Sequence, residues 1–291
     1  MDDNNTVILG NTGFIGAAIE RELRKALPGW THTGVSRADC DLTAQEQAGR
    51  LVPLFTPTTV LIVCSGIKRQ FGDTTEIFER NMQMVLNLSR VLERSPVRRI
   101  IYLSSAAVYG EERENTAIRE STPIDPGSLY GVAKFASERV LQRTASTIGS
   151  TLAVLRPPLV YGKGDSSKGY GPAGFEESIL GSREISLWGD GSERREFLYL
   201  KDLARIVCAL TPMRWSGVLN PVSGNSRTYR DCATIIRELL AGSGSIVERP
   251  RSKPKVDHVF DPSEIRSTLP EFHFTSLEDG LREMLSGPVG A

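Results

Sequence analysis

The chain has 291 residues, 40% of them hydrophobic and 24% charged, with 35 basic side chains balanced by 35 acidic ones. That length suffices for one large α/β domain or for a large and a small lobe. A formal net charge of zero gives no overall field to recruit nucleic acid or an anionic membrane, so neither is expected as a partner.

The four cysteines, Cys40, Cys64, Cys208 and Cys232, lie far apart and form no CxxC pair. A disulfide framework or metal site is therefore not expected, and reduced thiols in a cytoplasmic protein are the simpler reading. The opening "MDDNNT" is acidic and polar, unlike a signal peptide, and no apolar run reaches the length of a membrane span.

In chain order, "TVILG" (6–10), "THTGVS" (31–36), "TVLIVC" (59–64), "RIIYLS" (99–104) and "LAVLR" (152–156) read as strands. They are rich in Val, Ile and Leu and mostly lack polar alternation, the pattern of a parallel sheet covered on both faces. The stretches between them carry apolar residues at helical spacing, notably "FIGAAIERELRKAL", "EIFERNMQMVLNLSRVLE" and "LYGVAKFASERVLQRTA". The expected fold is α/β: a Rossmann-like doubly wound parallel sheet with a smaller C-terminal α/β substrate lobe. The dinucleotide-binding domain is assigned to 1–160, with parts of about 185–215 returning to it, and the substrate lobe to 161–291. The stretch 157–174, rich in Gly, Pro and Ser, reads as an irregular loop. The lobe is expected over the carboxyl edge of the sheet.

Gly10, Gly13 and Gly16 follow the first strand and open a helix at Phe14. Three glycines alone also suit a tight turn without a ligand. Their place at the start of an α/β pattern favours a phosphate cradle, with the free N–H groups of the helix N-terminus facing the pyrophosphate. Thr12, Phe14 and Ile15 belong to the same predicted contact, as do Cys64, Ser65 and Gly66 at the end of the third strand. The second strand ends in Ser36 and Arg37, with no carboxylate until Asp39. A hydroxyl followed by a guanidinium suits a 2′-phosphate, which favours NADP over NAD, although a solvated arginine is the plain alternative. Asp41 and Leu42 are candidates for the adenine pocket.

Tyr130 and Lys134 stand at i and i+4 on one predicted helix face. A neighbouring ammonium favours the phenolate, which would suit Tyr130 to acid–base work. Ser104 and Ser105 end the fourth strand, on the edge where open sheets bind ligands. Capping the strand end fits Ser104 better, which leaves Ser105 to share a substrate hydrogen bond with the tyrosine.

Together these residues resemble the extended short-chain dehydrogenase/reductase family, in its nucleotide-sugar epimerase, dehydratase and reductase branch. The resemblance rests on the glycine motif, on "SSAAVYG", whose serine four residues before its tyrosine selects Ser105, and on "YGVAK". It extends to "LRPPLVYG" and "WGDGSERREFLYLKDLA". It implies Ser105, Tyr130 and Lys134 as catalytic, Pro157 beside the nicotinamide, and Arg195 holding the substrate's diphosphate. Lys68 and Ala106 join the expected substrate contacts. Lys163, Lys168 and Arg194 are further candidates for a diphosphate clamp, or solvated side chains. Asn81 matches a helix asparagine of the family, with a structural role expected. Leu159 replaces the family's nucleotide-contacting asparagine.

The branch is narrowed by absent groups. The 4,6-dehydratases carry an Asp-Glu pair after the Ser or Thr, where this chain has Ala106 and Ala107, and a methyl group cannot transfer a proton. Reductases that also epimerise C3 and C5 use a cysteine near this strand and a histidine farther on. "SSAAVYG" has no cysteine, and His32, His258 and His273 lie elsewhere. What remains is an NADP-dependent 4-ketoreductase of a nucleotide-linked 4-keto-6-deoxy sugar, with a 4-epimerase that keeps NAD bound as the alternative. A non-catalytic NAD(P)-binding redox sensor is more remote, because Ser105, Tyr130 and Lys134 are all present. The helices near 75–94 and 128–145 imply a homodimer, as relatives pair through them.

Overall fold

The computed structural model describes residues 4–166, 169–181, 183–240 and 244–286. They divide into two compact units. The first comprises residues up to Glu111, Thr122–Pro157 and Leu203–Asn220; the second comprises Glu112–Ser121, Pro158–Asp202 and the chain from Pro221. The stretch returning to the first unit is thus Leu203–Asn220 rather than 185–215, and Glu112–Ser121 crosses to the second.

Along the chain the elements begin with β1 (Asn5–Leu9), α1 (Phe14–Ala26), β2 (Thr31–Val35), α2 (Gln45–Ala48), β3 (Thr59–Val63), α3 (Thr75–Arg94) and β4 (Arg99–Leu103). They continue with β5 (Asn115–Ile118), α4 (Leu129–Ile148), β6 (Thr151–Leu155), β7 (Leu159–Tyr161), α5 (Pro172–Leu180), β8 (Ile185–Trp188), β9 (Arg194–Arg195) and β10 (Phe197–Tyr199). After them come α6 (Leu200–Leu210), β11 (Gly217–Leu219), β12 (Arg227–Thr228), α7 (Tyr229–Leu239), β13 (Ile246–Arg249), β14 (His258–Phe260), α8 (Ser263–Thr268) and α9 (Leu277–Leu285).

The first unit is built on a six-stranded sheet in the order β11-β6-β4-β3-β1-β2, with every pairing parallel. β3 and β4 are buried at every position, which is why they read as unbroken apolar runs. Ile8, Leu61, Ile62 and Ile100 have no exposed surface, each burial contributing about 1.5–3 kcal/mol. α3 starts where the Thr74 side chain accepts from the Ile77 amide, and α4 where Ser128 accepts from that of Gly131. α4 ends at Gly149, whose φ of 72° is left-handed and costs glycine little. The chain moves outward from β1 in both directions, to β2 on one side and β3 on the other. This strand-order reversal is where an open parallel sheet forms a crevice at its carboxyl end.

The second unit is made of two-stranded pairs: β10-β7, β12-β9, β13-β8 and β14-β5. α5, α7 and α9 share with them a core that includes Phe175, Leu187, Tyr229, Ile236 and Leu281. The stretch 157–174 is more regular than its composition suggests, since it contains β7 and the start of α5. Among the described residues no helix is long and apolar enough to cross a membrane.

Candidate active site

At the end of β1 the backbone folds into a cradle. Gly10 has a φ of 83°, and the Gly13 amide donates to its carbonyl at 3.0 Å. A Cβ on Gly16 would lie 2.1 Å from the Gly10 oxygen, so only glycine lets α1 approach this closely. Gly13 is the N-cap of α1 and supplies no side-chain acceptor, which leaves the first amides of the helix for an anion.

Beside the cradle lies a groove of about 510 Å³, lined by Gly10, Thr12 and Gly13, by Arg37, Asp41 and Leu42, and by Cys64, Ser65 and Gly66. These predicted residues come from three separate strand ends. The volume falls within the roughly 300–1,000 Å³ of ligand pockets. Together with the glycine cradle, the groove fits a dinucleotide. Sequence reasoning missed Ile77, Arg80 and Met84, which line it from α3. Their i, i+3, i+7 spacing was the available signal.

At the end of β2 a difference emerges. Ser36 is not among the residues lining the groove; its amide and hydroxyl both donate to Asp39, at 2.9 and 2.6 Å. These hydrogen bonds hold the Asp39 carboxyl below its usual range. Arg37 faces the groove but also pairs with Asp41 at 3.2 Å. The strand end therefore carries a carboxylate as well as a guanidinium.

Asn81 fastens the loop after β3, accepting from the Ile67 amide at 2.8 Å and donating to the Ile67 carbonyl at 3.2 Å. Lys68 places its ammonium 4.9 Å from the centre of the Phe14 ring.

Tyr130 and Lys134 lie in the first and second turns of α4. The Tyr130 amide donates to Asp73 at 3.0 Å, while its side chain shares a hydrogen bond with Ser105. Lys134 donates to the Leu103 carbonyl at 2.6 Å, and its nitrogen is 5.9 Å from the centre of the Tyr130 ring. Burial pushes Lys134 down to about 8. Tyr130 moves the opposite way from the sequence expectation: burial pushes it up to about 12, against the Ser105 hydrogen bond and with the nearby Glu111 raising it further. Desolvation outweighs an ammonium at this distance.

Ser105 meets Tyr130 as expected, but the capping role falls to it rather than to Ser104. Ser105 caps the short turn Ala106–Tyr109, accepting from the Ala107 amide at 3.2 Å. Ser104 is sealed in, donating to Glu138 at 2.5 Å. Glu138 also receives two bonds from Arg156, at 3.0 and 2.7 Å. Arg156 reaches the Tyr109 hydroxyl at 3.0 Å, and that hydroxyl donates to Asn220 at 2.8 Å. The network ties α4, β4 and the ends of β6 and β11 together one turn below Lys134. Pro157 follows Arg156 and accepts from the Ala106 amide at 2.9 Å. Ala106 and Ala107 leave no carboxyl group beside Ser105.

In the second unit, Arg195 lies on β9, bonded to the carbonyls of Val256 and Arg194 at 2.5 and 2.8 Å and paired with Glu193. Arg251, which sequence reasoning missed, pairs with the other oxygen of Glu193 at 3.0 Å. Arg194 donates its amide to Asp257 at 2.9 Å. Lys168 lies outside the described residues.

Residues 6–218 match the model of the NAD dependent epimerase/dehydratase family. The chain belongs to that family. It is accordingly an NAD(P)-dependent enzyme with a Rossmann-like α/β fold. GDP-L-fucose synthase 1 of Arabidopsis thaliana is similar to it, 25% identical across 95% of this chain and 90% of that protein. Two solved structures share its fold. UDP-glucose 4-epimerase of Thermus thermophilus, in complex with NAD, is 22% identical with a TM-score of 0.82. The Thermotoga maritima UDP-glucose 4-epimerase, with UDP-glucose, is 23% identical with a TM-score of 0.84. Each covers 96% of this chain and 97% of the other.

Proposed function

We propose that this enzyme is an NADP-dependent 4-ketoreductase of a nucleotide-linked 4-keto-6-deoxy sugar. The observation carrying that reading is the convergence of Ser105, Tyr130 and Lys134 at the carboxyl end of β4, beside two alanines rather than a carboxyl pair. This set moves one proton to or from a sugar oxygen and offers nothing for eliminating water. Bound along the groove, the nicotinamide would supply the hydride. Tyr130, held protonated by its raised pKa, donates to the new alkoxide; Ser105 holds the same oxygen. Lys134 carries its positive charge below about pH 8 and stabilises the phenolate left behind.

Arg37 reads the 2′-phosphate, and Asp41 and Leu42 flank the adenine. Pro157 packs beside the nicotinamide, and Lys68, Ala106 and Arg195 contact substrate. The missing cysteine in "SSAAVYG" separates this chemistry from reductases that also epimerise C3 and C5. α3 and α4 leave Leu86, Leu129 and Val132 exposed, surfaces suited to a homodimer. Four free cysteines suit the reducing cytoplasm.

A second reading, a 4-epimerase that keeps NAD bound, is favoured by one observation: the groove beside Arg37 is lined by a carboxylate, Asp41, and a carboxylate after the second strand suits a ribose hydroxyl. Denaturing the purified protein and identifying any released dinucleotide separates the two. A chain purified empty that binds NADPH more tightly than NADH supports the reductase. Stoichiometric NAD and indifference to the phosphate would establish the epimerase. Tyr130→Phe should lower turnover by at least about 10²-fold while dinucleotide affinity is retained; unchanged turnover would overturn the assignment of the acid.

A further inference from the structure

We infer that Glu193 is an internal counter-ion that sets how tightly the second unit holds an anionic substrate, by occupying the two guanidinium groups that a nucleoside diphosphate would bridge. The inference rests on the reading of Arg195 as a diphosphate contact and deepens it.

One oxygen of Glu193 meets Arg195 and the other meets Arg251 at 3.0 Å. A carboxylate spanning two arginine forks imitates, with one negative charge, what the oxygens of a diphosphate do with more. The side chains of Glu193, Arg195 and Arg251 are 17%, 17% and 21% exposed, so the cluster is covered enough to strengthen its charges yet remains open to water.

The arginines do not depend on Glu193 alone for their placement. Arg195 is anchored by the Val256 and Arg194 carbonyls, and Arg251 also reaches Asp190 at 3.5 Å. The Tyr229 ring lies 5.9 Å from the Arg195 guanidinium. Among the described residues the Glu193 carboxylate pairs with these two arginines alone, while its backbone carbonyl accepts from the Tyr229 amide at 3.2 Å. Glu196, three positions on, is the contrast: 2% exposed, it accepts from the backbone amides of Ser223 and Gly224 and from the Ser223 and Ser226 hydroxyls. Glu196 builds the unit, whereas Glu193 can exchange its partners for a ligand. With Asp190 counted beside Glu193, two carboxylates balance the two guanidinium groups, and removing the Glu193 charge would leave the cluster at +1. Glu193 therefore admits a diphosphate while keeping it releasable.

The test is titration of the full chain with UDP and with GDP, followed by calorimetry. Glu193→Gln keeps the shape and removes the charge. Nucleoside diphosphate affinity should rise about tenfold, the gain should shrink as salt is added, and uridine binding should not change. Unchanged or weaker binding, in a variant that melts with the parent, would overturn the inference. If the glutamine variant does not fold, Glu193→Asp asks the same question, since it is too short to bridge both arginines: tighter binding supports the inference and unchanged binding overturns it. Arg195→Gln tests the underlying reading separately. If that variant binds UDP and GDP as the parent does, the diphosphate contact itself is wrong. If it binds weakly while Glu193→Gln gains nothing, only the counter-ion fails.

Discussion

In the first unit Glu138 clasps Arg156 with each side chain 5% exposed; in the second, Glu193 holds Arg195 and Arg251 with three to four times that exposure. The Glu138 pair spends its hydrogen-bonding capacity on the chain itself, with Ser104 and Tyr109 completing it. Burial pulls the Arg156 guanidinium down, but Glu138 and Tyr109 outweigh it and its pKa is raised. The Glu193 cluster is wetter and shares one carboxylate between two cations. The same pair of residue types therefore serves as a joint in one unit and as an exchangeable contact in the other. What separates them is access to water and the number of other partners.

That contrast breaks most visibly at the joint. Arg156→Met leaves Glu138 as a buried charge without its cation, and should cost about 3–5 kcal/mol, read from the urea midpoint. Adding Glu138→Leu should restore more than half of the loss, because a buried pair replaced as a whole leaves no lone charge. A double variant no more stable than the single one would mean the joint depends on its polar groups beyond the ion pair.

Above the joint, Lys134 provides a pH test. Its folded pKa, about 8, lies below its ordinary 10.5. Between those values the unfolded chain keeps a proton that the folded chain has released, so this group's contribution to stability rises with pH. Activity should move the other way, with kcat/KM falling above about pH 8 as the ammonium is lost. Lys134→Arg should carry that limb upward; a limb that stays in place would assign it to another group. The smallest effect belongs to the open cluster. Glu193→Gln should alter stability by less than about 1 kcal/mol on urea denaturation. A larger loss would make that cluster a joint as well.

The first unit was largely legible in the sequence because burial writes itself as composition. "TVLIVC" and "RIIYLS" became β3 and β4 since a strand covered on both faces admits little else. The glycine cradle was equally readable, as close approach and positive φ exclude side chains. The second unit hid its strands. β9 and β12 are two residues each, too short for any alternation to register. Side-chain direction was also hidden: the string "SS" does not say that Ser104 turns inward to Glu138 while Ser105 caps a turn and meets Tyr130. Nor does any local pattern connect Arg251 with Glu193, which are brought together only by the fold. The shift of Tyr130 to about 12 depends on desolvation, which spacing along a helix does not encode.

The division of the first unit among three stretches of chain bears on how the molecule is made. Its sixth strand, β11, pairs with β6 only after Pro158–Asp202 has been synthesised for the other unit. On the ribosome, β6 therefore emerges with one edge unpaired, and that edge stays open while the intervening residues are translated. An open edge invites pairing with another nascent chain. Polysomes crowded with this message should be more prone to aggregation than the finished protein, and a chaperone that shields strand edges would matter most during that interval.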